Sequence, residues 1–149
     1  MGFQEVKTLL NSGNITFKGE LASEEDLREQ ISTQLEKEFG FPIPVLLRKG
    51  QDILKTIAQD PFKEIETHKD LRLYVTFLNN SLKERPLLPW VSQDRSFQII
   101  GAEDKELYSI LDVSRSKTTD AMNHLEKTYG KDITTRNWNT LTKIAGLLD

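Results

Sequence analysis

The sequence contains no cysteine and only two histidines, and this scarcity removes several classes of site. Without cysteine the chain can form no disulfide, no thiolate nucleophile and no cysteine-built zinc site, which fits a reducing cytosol. His68 and His124 have no His or Cys partner at a ligand spacing, so the sequence predicts no metal site. We expect both histidines to be surface residues.

A large charge of one sign and a long apolar run are also missing. The formal net charge is -3, whereas a nucleic-acid binder usually carries clustered Lys and Arg in excess, so nucleic acid is not the expected partner. No apolar run approaches the roughly 18 residues of a membrane span, and the N-terminus lacks the regions of a signal peptide. We therefore expect a soluble cytoplasmic protein with no membrane partner.

Common phosphate and nucleophile motifs are absent as well. The chain has no G-x-x-x-x-G-K-[ST], G-x-G-x-x-G or G-x-S-x-G sequence, so neither a cofactor nor a reaction is indicated. The acidic run Glu24, Glu25 and Asp26 is explained by charge in the first turn of a helix, where it opposes the helix dipole. Paired acid–base catalysis has no support, and whether the chain is an enzyme stays open.

What the sequence does contain is enough apolar residue for a folded core. It has 149 residues, of which 37% are hydrophobic and 29% charged. A chain of this size and composition folds as one compact unit rather than remaining disordered. We predict a single α+β domain over residues 1–149, or two subdomains of about 1–66 and 67–149.

The first 40 residues predict a β segment followed by an amphipathic helix. Residues 6–17 favour strands, with a turn or bulge at Gly13. A helix is predicted over residues 24–39, capped by Ser23 with Asp26 three residues on, and ended by Gly40. Its apolar residues recur at i+4 and form a narrow stripe for packing on a sheet: Leu27, Ile31, Leu35 and Phe39.

The middle of the chain predicts short strands around one short helix. Residues 45–48 favour a strand, and residues 51–58 a helix with Ile53, Leu54 and Ile57 inward. Residues 71–78 alternate apolar and polar side chains, which predicts a half-buried strand. Residues 79–94 are predicted to be a loop, followed by a hairpin of residues 97–100 and 106–110 around Gly101-Ala102-Glu103-Asp104.

The C-terminal third predicts two helices, over residues 118–129 and 137–148. In the second helix Trp138, Leu141, Ala145 and Leu148 recur on one face, so Trp138 is expected in the core. Strands interleaved with helices, without strict β-α-β repetition, indicate an α+β fold with a mixed or antiparallel sheet and two C-terminal helices.

Three polar segments are candidates for binding. In Ser114–Thr119, Arg115 and Lys117 lie at the start of a helix, where free amides attract phosphate or carboxylate; the alternative is ordinary capping by Ser116, Thr118 or Thr119. In Ser12-Gly13-Asn14, Ser12 and Asn14 would either bind a ligand or shape the turn.

The third segment lies near the C-terminus. Thr134 or Thr135 is expected to cap the last helix, which places Arg136, Asn137 and Asn139 in or beside its first turn. An Arg at that position is unfavourable to the helix dipole unless it has a partner. These three side chains either hydrogen-bond the helix to neighbouring loops or bind an anion.

The same segments carry a family resemblance. Ser12-Gly13-Asn14, the sequence Phe-Pro-Ile-Pro-Val-Leu-Leu-Arg of residues 41–48, Asp60-Pro61-Phe62, the Ser-Arg-Ser-Lys of residues 114–117 and the Thr-Arg-Asn-Trp-Asn-Thr of residues 135–140 occur in order. In this the chain resembles the bacterial family catalogued as domain of unknown function 1697, along nearly its whole length. The resemblance implies an α+β fold with ferredoxin-like β-α-β units, and it implies no activity.

The resemblance also implies a departure at the N-terminus. Members of that family usually open with a strand, a loop of the type Arg-Gly-Ile-Asn-Val-Gly-Gly and a helix, which lead into the Gly-Phe found here as Gly2-Phe3. This chain would then begin about one strand and one helix late. A sheet that lacks such a strand is expected to have an exposed edge or a gap, and a site built with the missing Arg and Asn would be incomplete.

Three functions follow as hypotheses. In the first, the three polar segments converge on one face and bind an anionic small molecule. In the second, the two C-terminal helices form a helix-turn-helix-like pair that binds nucleic acid or protein. In the third, the chain is an enzyme that stabilises an oxyanion with Asn, Arg, Lys and Ser.

Overall fold

The structure is a computed structural model that describes residues 3–9, 13–19, 23–84 and 86–148. Within these residues the chain forms four helices and two antiparallel sheets. The predicted α+β class and antiparallel sheet are confirmed. Among the described helices, none has the length and apolar character needed to cross a membrane.

The N-terminal sheet is a hairpin of two strands. Strand β1 (Gln4–Leu9) pairs antiparallel with β2 (Asn14–Lys18), as the β pattern of residues 6–17 predicts. Gly13 immediately precedes β2 and has a φ of 79°, a left-handed conformation that glycine adopts without steric strain. The hairpin thus depends on Gly13 for the entry into β2.

Helix α1 (Glu24–Phe39) has the predicted bounds. The Ser23 hydroxyl accepts a hydrogen bond from the Asp26 amide at 3.1 Å, and Gly40 ends the helix in a left-handed conformation. Burial decreases along the predicted apolar stripe, because Leu27 is buried, Ile31 and Leu35 are half-buried and Phe39 is exposed.

Residues 42–49 are irregular, so the strand predicted over residues 45–48 is wrong. The side chain of Arg48 instead reaches the backbone carbonyls of Leu78 and Lys105. Helix α2 follows at Gly50–Gln59, close to the predicted 51–58. Ile53 is buried as expected, but Leu54 is exposed, which corrects its predicted inward position.

The main sheet has five described strands in the order β4-β5-β6-β3-β7. All of its neighbouring strands pair antiparallel. The strands are β3 (Leu71–Leu78), β4 (Trp90–Val91), β5 (Phe97–Glu103), β6 (Glu106–Asp112) and β7 (Ile133–Asn137).

Three details of this sheet correct the prediction. Strand β3 has the predicted bounds but is buried on both faces from Tyr74 to Leu78, because helices cover both sides of the sheet. The predicted loop over residues 79–94 includes the short strand β4. The β5–β6 hairpin turns at Asp104 and Lys105, while Gly101 lies within β5, where a Cβ would stand 3.0 Å from the Tyr108 ring.

Helices α3 (Thr118–Tyr129) and α4 (Trp138–Ala145) are separated by strand β7. Helix α4 therefore begins one residue later and ends three residues earlier than the helix predicted over residues 137–148. Because a strand lies between α3 and α4, the helix-turn-helix-like arrangement is wrong. Instead β6, α3 and β7 form a crossover unit in which β3 lies between β6 and β7 and pairs with both.

The two faces of the main sheet bury two apolar clusters. On the face that α3 covers, Ala121 and Leu125 pack against Tyr74 and Leu78 of β3. On the opposite face, Leu141 of α4 and Ile53 of α2 pack with Val75 and Phe77. We call these the α3 face and the α2–α4 face; Trp138, Ala145 and Leu148 pack on the latter, as predicted.

Candidate functional site

The N-terminal hairpin meets the main sheet at a hydrogen bond between Asn14 and Arg136. Asn14 begins β2, and Arg136 lies in β7, the strand at one edge of the main sheet. The Arg136 Nε atom donates to Asn14 Oδ1 at 2.7 Å, across a separation of 122 positions in the sequence. Two of the three polar segments singled out in the sequence are therefore in direct contact.

Arg136 is also held within its own strand. Its Nη1 atom donates to the Thr134 hydroxyl at 2.9 Å and to the backbone carbonyl of Thr135 at 3.0 Å. Side chains two residues apart in a strand point to the same face, so Thr134 and Arg136 are neighbours. Together with the bond to Asn14, these contacts fix the position of the Arg136 guanidinium.

The charge of Arg136 lies in a half-buried setting. Burial lowers the pKa of its guanidinium, because removal from water disfavours the charged form. Arginine nevertheless stays protonated at any physiological pH. The hairpin contact thus contains a fixed and partly desolvated cation, an arrangement in which charge–charge interactions are stronger than on an open surface.

Helix α4 begins directly after this strand. Asn137 is its N-cap, with Oδ1 accepting from the Thr140 amide at 2.8 Å. The predicted caps Thr134 and Thr135 are therefore wrong, and Arg136 belongs to the strand rather than to the first turn. Asn139 does lie in that turn; it is exposed, and its backbone carbonyl accepts from the Thr142 hydroxyl at 2.8 Å.

Arg115 and Lys117 lie on the other side of the sheet. Both are exposed in the connection from β6 to α3, and Lys117 is the N-cap of α3 without a side-chain capping bond, so the predicted capping by Ser116, Thr118 or Thr119 is wrong. Helix α3 covers the α3 face, whereas Arg136 pairs with Val75 and so points to the α2–α4 face.

The three segments thus do not form a single surface. Asn14, Arg136, Asn137 and Asn139 lie together, and Arg115 and Lys117 lie apart from them. Ser12 falls outside the described residues. The hypothesis that all three segments converge on one face therefore reduces to a site at the hairpin and the start of α4.

A second polar cluster is one that the sequence does not predict. Glu106 accepts hydrogen bonds from the Tyr108 hydroxyl at 2.7 Å and from the Thr56 hydroxyl at 2.9 Å. Burial and the Glu106 carboxylate raise the pKa of Tyr108. Thr56 itself is buried, so the cluster joins α2 to β6. Its members lie 50 residues apart at α2 and β6, which no local motif reveals.

The far end of the hairpin contacts the end of α4. Lys7 Nζ donates to the backbone carbonyl of Leu147 at 3.3 Å. A small cleft of about 30 Å³ lies here between the hairpin and Leu147 and Leu148. The hairpin is therefore attached to the rest of the molecule near both ends of α4.

Comparison with known proteins gives one match. The model of a family described as "Protein of unknown function (DUF1697)" matches residues 1–108. The matched part includes Asn14 and ends before the segments that contain Arg115 and Arg136. No curated protein and no solved structure matches the chain.

Proposed function

The chain belongs to the DUF1697 family of unknown function, and we propose from the geometry that it binds an anionic small molecule at Arg136. The observation that carries this proposal is the hydrogen bond between Arg136 and Asn14, which fixes a half-buried guanidinium where the hairpin meets the main sheet. The ligand class is a phosphate or a carboxylate, because both groups accept charge-assisted hydrogen bonds from a guanidinium.

The start of α4 adds groups of the right kind. The amides of a first helical turn point outward and carry the positive end of the helix dipole. The exposed side chain of Asn139 lies in this turn, two residues after the Asn137 cap. An anion held by Arg136 would thus have an amide side chain and a helix start within the same segment.

The test is a titration of ¹⁵N-labelled protein with inorganic phosphate, followed by amide chemical shifts, and a second titration with acetate. We expect saturable shifts confined to residues 14–17 and 134–140. Arg136→Gln should weaken the binding by at least about tenfold, since it removes the charge-assisted hydrogen bonds. Arg72→Gln is a matched control, because Arg72 is exposed on β3 and donates to the Lys69 carbonyl at 2.8 Å.

The location of the shifts decides the outcome. Shifts confined to residues 115–119 would show that the anion binds at the start of α3 and would contradict the Arg136 site. Equal binding by the Arg136→Gln variant and the wild-type protein would also contradict it. Circular dichroism of each variant establishes that the fold is retained, so that a lost site is not confused with unfolding.

A further inference from the structure

The hydrogen bonds that Arg136 already makes restrict how an anion can bind to its guanidinium. The group is planar and has five N–H donors, one on Nε and two on each Nη atom. Two oxygens of one anion bind either at its end, through Nη1 and Nη2, or at its side, through Nε and Nη2. Binding at two points therefore requires that either Nη1 or Nε exchange a present acceptor for the anion.

The Nη1 atom is held from within β7. It donates to the Thr134 hydroxyl at 2.9 Å and to the Thr135 carbonyl at 3.0 Å, which gives two acceptors for its two N–H groups. Both acceptors belong to the strand that contains Arg136, and this strand pairs with β3 along its whole length. Because that pairing fixes the strand, Nη1 keeps its acceptors and the end of the guanidinium stays occupied.

The Nε atom is held from the hairpin. Its single N–H donates to Asn14 Oδ1 at 2.7 Å, at the beginning of β2. Strand β2 pairs only with β1 among the described strands, and a two-stranded sheet is marginally stable by itself. The hairpin is also attached through Lys7, an exposed residue whose Nζ donates to the Leu147 carbonyl at 3.3 Å. The acceptor of Nε thus belongs to the less firmly held of the two sheets.

On the basis of the anion site proposed above, we propose that the anion and Asn14 compete for Nε of Arg136, so that anion binding releases the hairpin from β7. The anion occupies the side of the guanidinium. Meanwhile the bonds from Nη1 to Thr134 and Thr135 keep the group in position. The hairpin is a regulatory element of the site, attached through Asn14 or released by the ligand.

The competition acts equally in both directions. By thermodynamic linkage, the factor by which the Asn14 bond weakens anion binding equals the factor by which the anion weakens the attachment of the hairpin. One hydrogen bond to a half-buried guanidinium corresponds to a factor of about five. The attached hairpin therefore lowers the affinity for the anion without preventing its binding.

The experiment measures the affinity of the full chain for inorganic phosphate in two variants of Asn14, by the same NMR titration. Asn14→Ala should bind phosphate about fivefold more tightly than the wild-type protein, because the competing acceptor is removed. Asn14→Asp should bind it at least about fivefold more weakly, because a carboxylate at this position forms an ion pair with Arg136. If Asn14 instead positioned Arg136 for the anion, Asn14→Ala would bind more weakly.

Thr16→Ala is the matched control. Thr16 is half-buried in β2, two residues after Asn14, so its side chain lies on the same face of the strand. The change keeps the net charge and leaves the bond between Asn14 and Arg136 in place. We expect the affinity for phosphate to stay within about twofold of the wild-type value.

A second readout follows the hairpin directly. In the wild-type protein, the Arg136 Nε–H signal and the Asn14 side-chain amide signals should shift together during the phosphate titration. Amide exchange in β2, measured by NMR, should accelerate with phosphate relative to chloride at the same pH and ionic strength. The amides of β3 and β6 should remain protected, which separates release of the hairpin from unfolding.

The outcomes separate this inference from the anion site itself. If phosphate binding depends on Arg136 but Asn14→Ala binds equally or more weakly, the competition is wrong and the anion site stands. Equal tightening by Thr16→Ala also overturns the competition, since the gain then comes from a looser hairpin. If neither the wild-type protein nor Asn14→Ala binds phosphate or acetate saturably, both the site and the competition are wrong.

Discussion

Helices α1 and α3 are both amphipathic, yet α3 buries Ala121 and Leu125 against the main sheet whereas α1 buries Leu27 alone among its described residues. Helix α3 places Ala121 and Leu125 against the main sheet, in one apolar cluster with residues of β3, β5 and β6. Helix α1 has a regular stripe, but Leu27 is its one buried residue and Phe39 remains exposed. The amphipathic pattern therefore determines which face of a helix turns inward, and the sheet opposite determines whether that face is covered.

The same contrast holds for the strands. The hairpin β1–β2 stands alone as a two-stranded sheet, whereas β3 has a partner on each edge and a helix layer on each face. Isolated hairpins are marginally stable in water, and stability rises once three or more strands share an apolar face. The hairpin thus depends on its attachments to β7 and α4, while the main sheet supports itself.

The largest expected effect tests this contrast with one residue type in two strands. Ile99 of β5 is 1% exposed and Ile15 of β2 is 59% exposed. Ile99→Ala should lower the free energy of unfolding by about 3 kcal/mol, because it leaves a cavity in the core. Ile15→Ala should change it by less than about 0.5 kcal/mol. Urea denaturation of both variants gives the comparison, and similar losses would show that the hairpin face is buried in solution.

A smaller effect is expected where the two regions are joined. Asn14→Ala and Arg136→Ala, singly and together, form a double-mutant cycle for the 2.7 Å hydrogen bond. A bond to a half-buried guanidinium should give a coupling energy of about 1 kcal/mol. Hydrogen exchange in the hairpin should accelerate in each single variant while β3 and β6 remain protected. A coupling energy near zero would mean that the hairpin is held by its other contacts.

The sequence predicts those elements of the two regions whose determining residues lie close to them in the chain. The caps of α1 at Ser23 and Gly40 lie beside the helix that they end, and the sequence predicted its bounds correctly. Strand β7 was missed, because Ile133–Asn137 is a polar segment with one apolar residue. Its pairing comes from β3, over fifty residues away, and includes a contact between the Thr76 and Thr135 hydroxyls at 2.9 Å.

The candidate site shows the same limit. The polar character of the segments around Asn14 and Arg136 was visible in the sequence, but their contact spans 122 positions and follows from the placement of β7. Arg115 belongs to a similar polar segment, and it lies on the other side of the sheet because α3 crosses over the α3 face. The residue types identify these side chains as candidates, but the order of the strands in the sheet determines which of them lie together.

The smallest expected effect is an increase in the free energy of unfolding, and it tests how completely the main sheet is buried. Burial there is so complete that Ser109 of β6, with no exposed surface, has no hydrogen-bond partner for its hydroxyl within the described residues. A buried hydroxyl without a partner costs free energy, and alanine retains most of the volume of serine without that group. Ser109→Ala should therefore raise the free energy of unfolding by about 0.5–1 kcal/mol in urea denaturation.

Ser114→Ala is the matched control, because the Ser114 hydroxyl donates to Asp112 at 2.5 Å and its loss should not stabilise the protein. If Ser109→Ala destabilises the chain, the hydroxyl has a partner in solution, and the interior of the main sheet is less dry than its burial indicates.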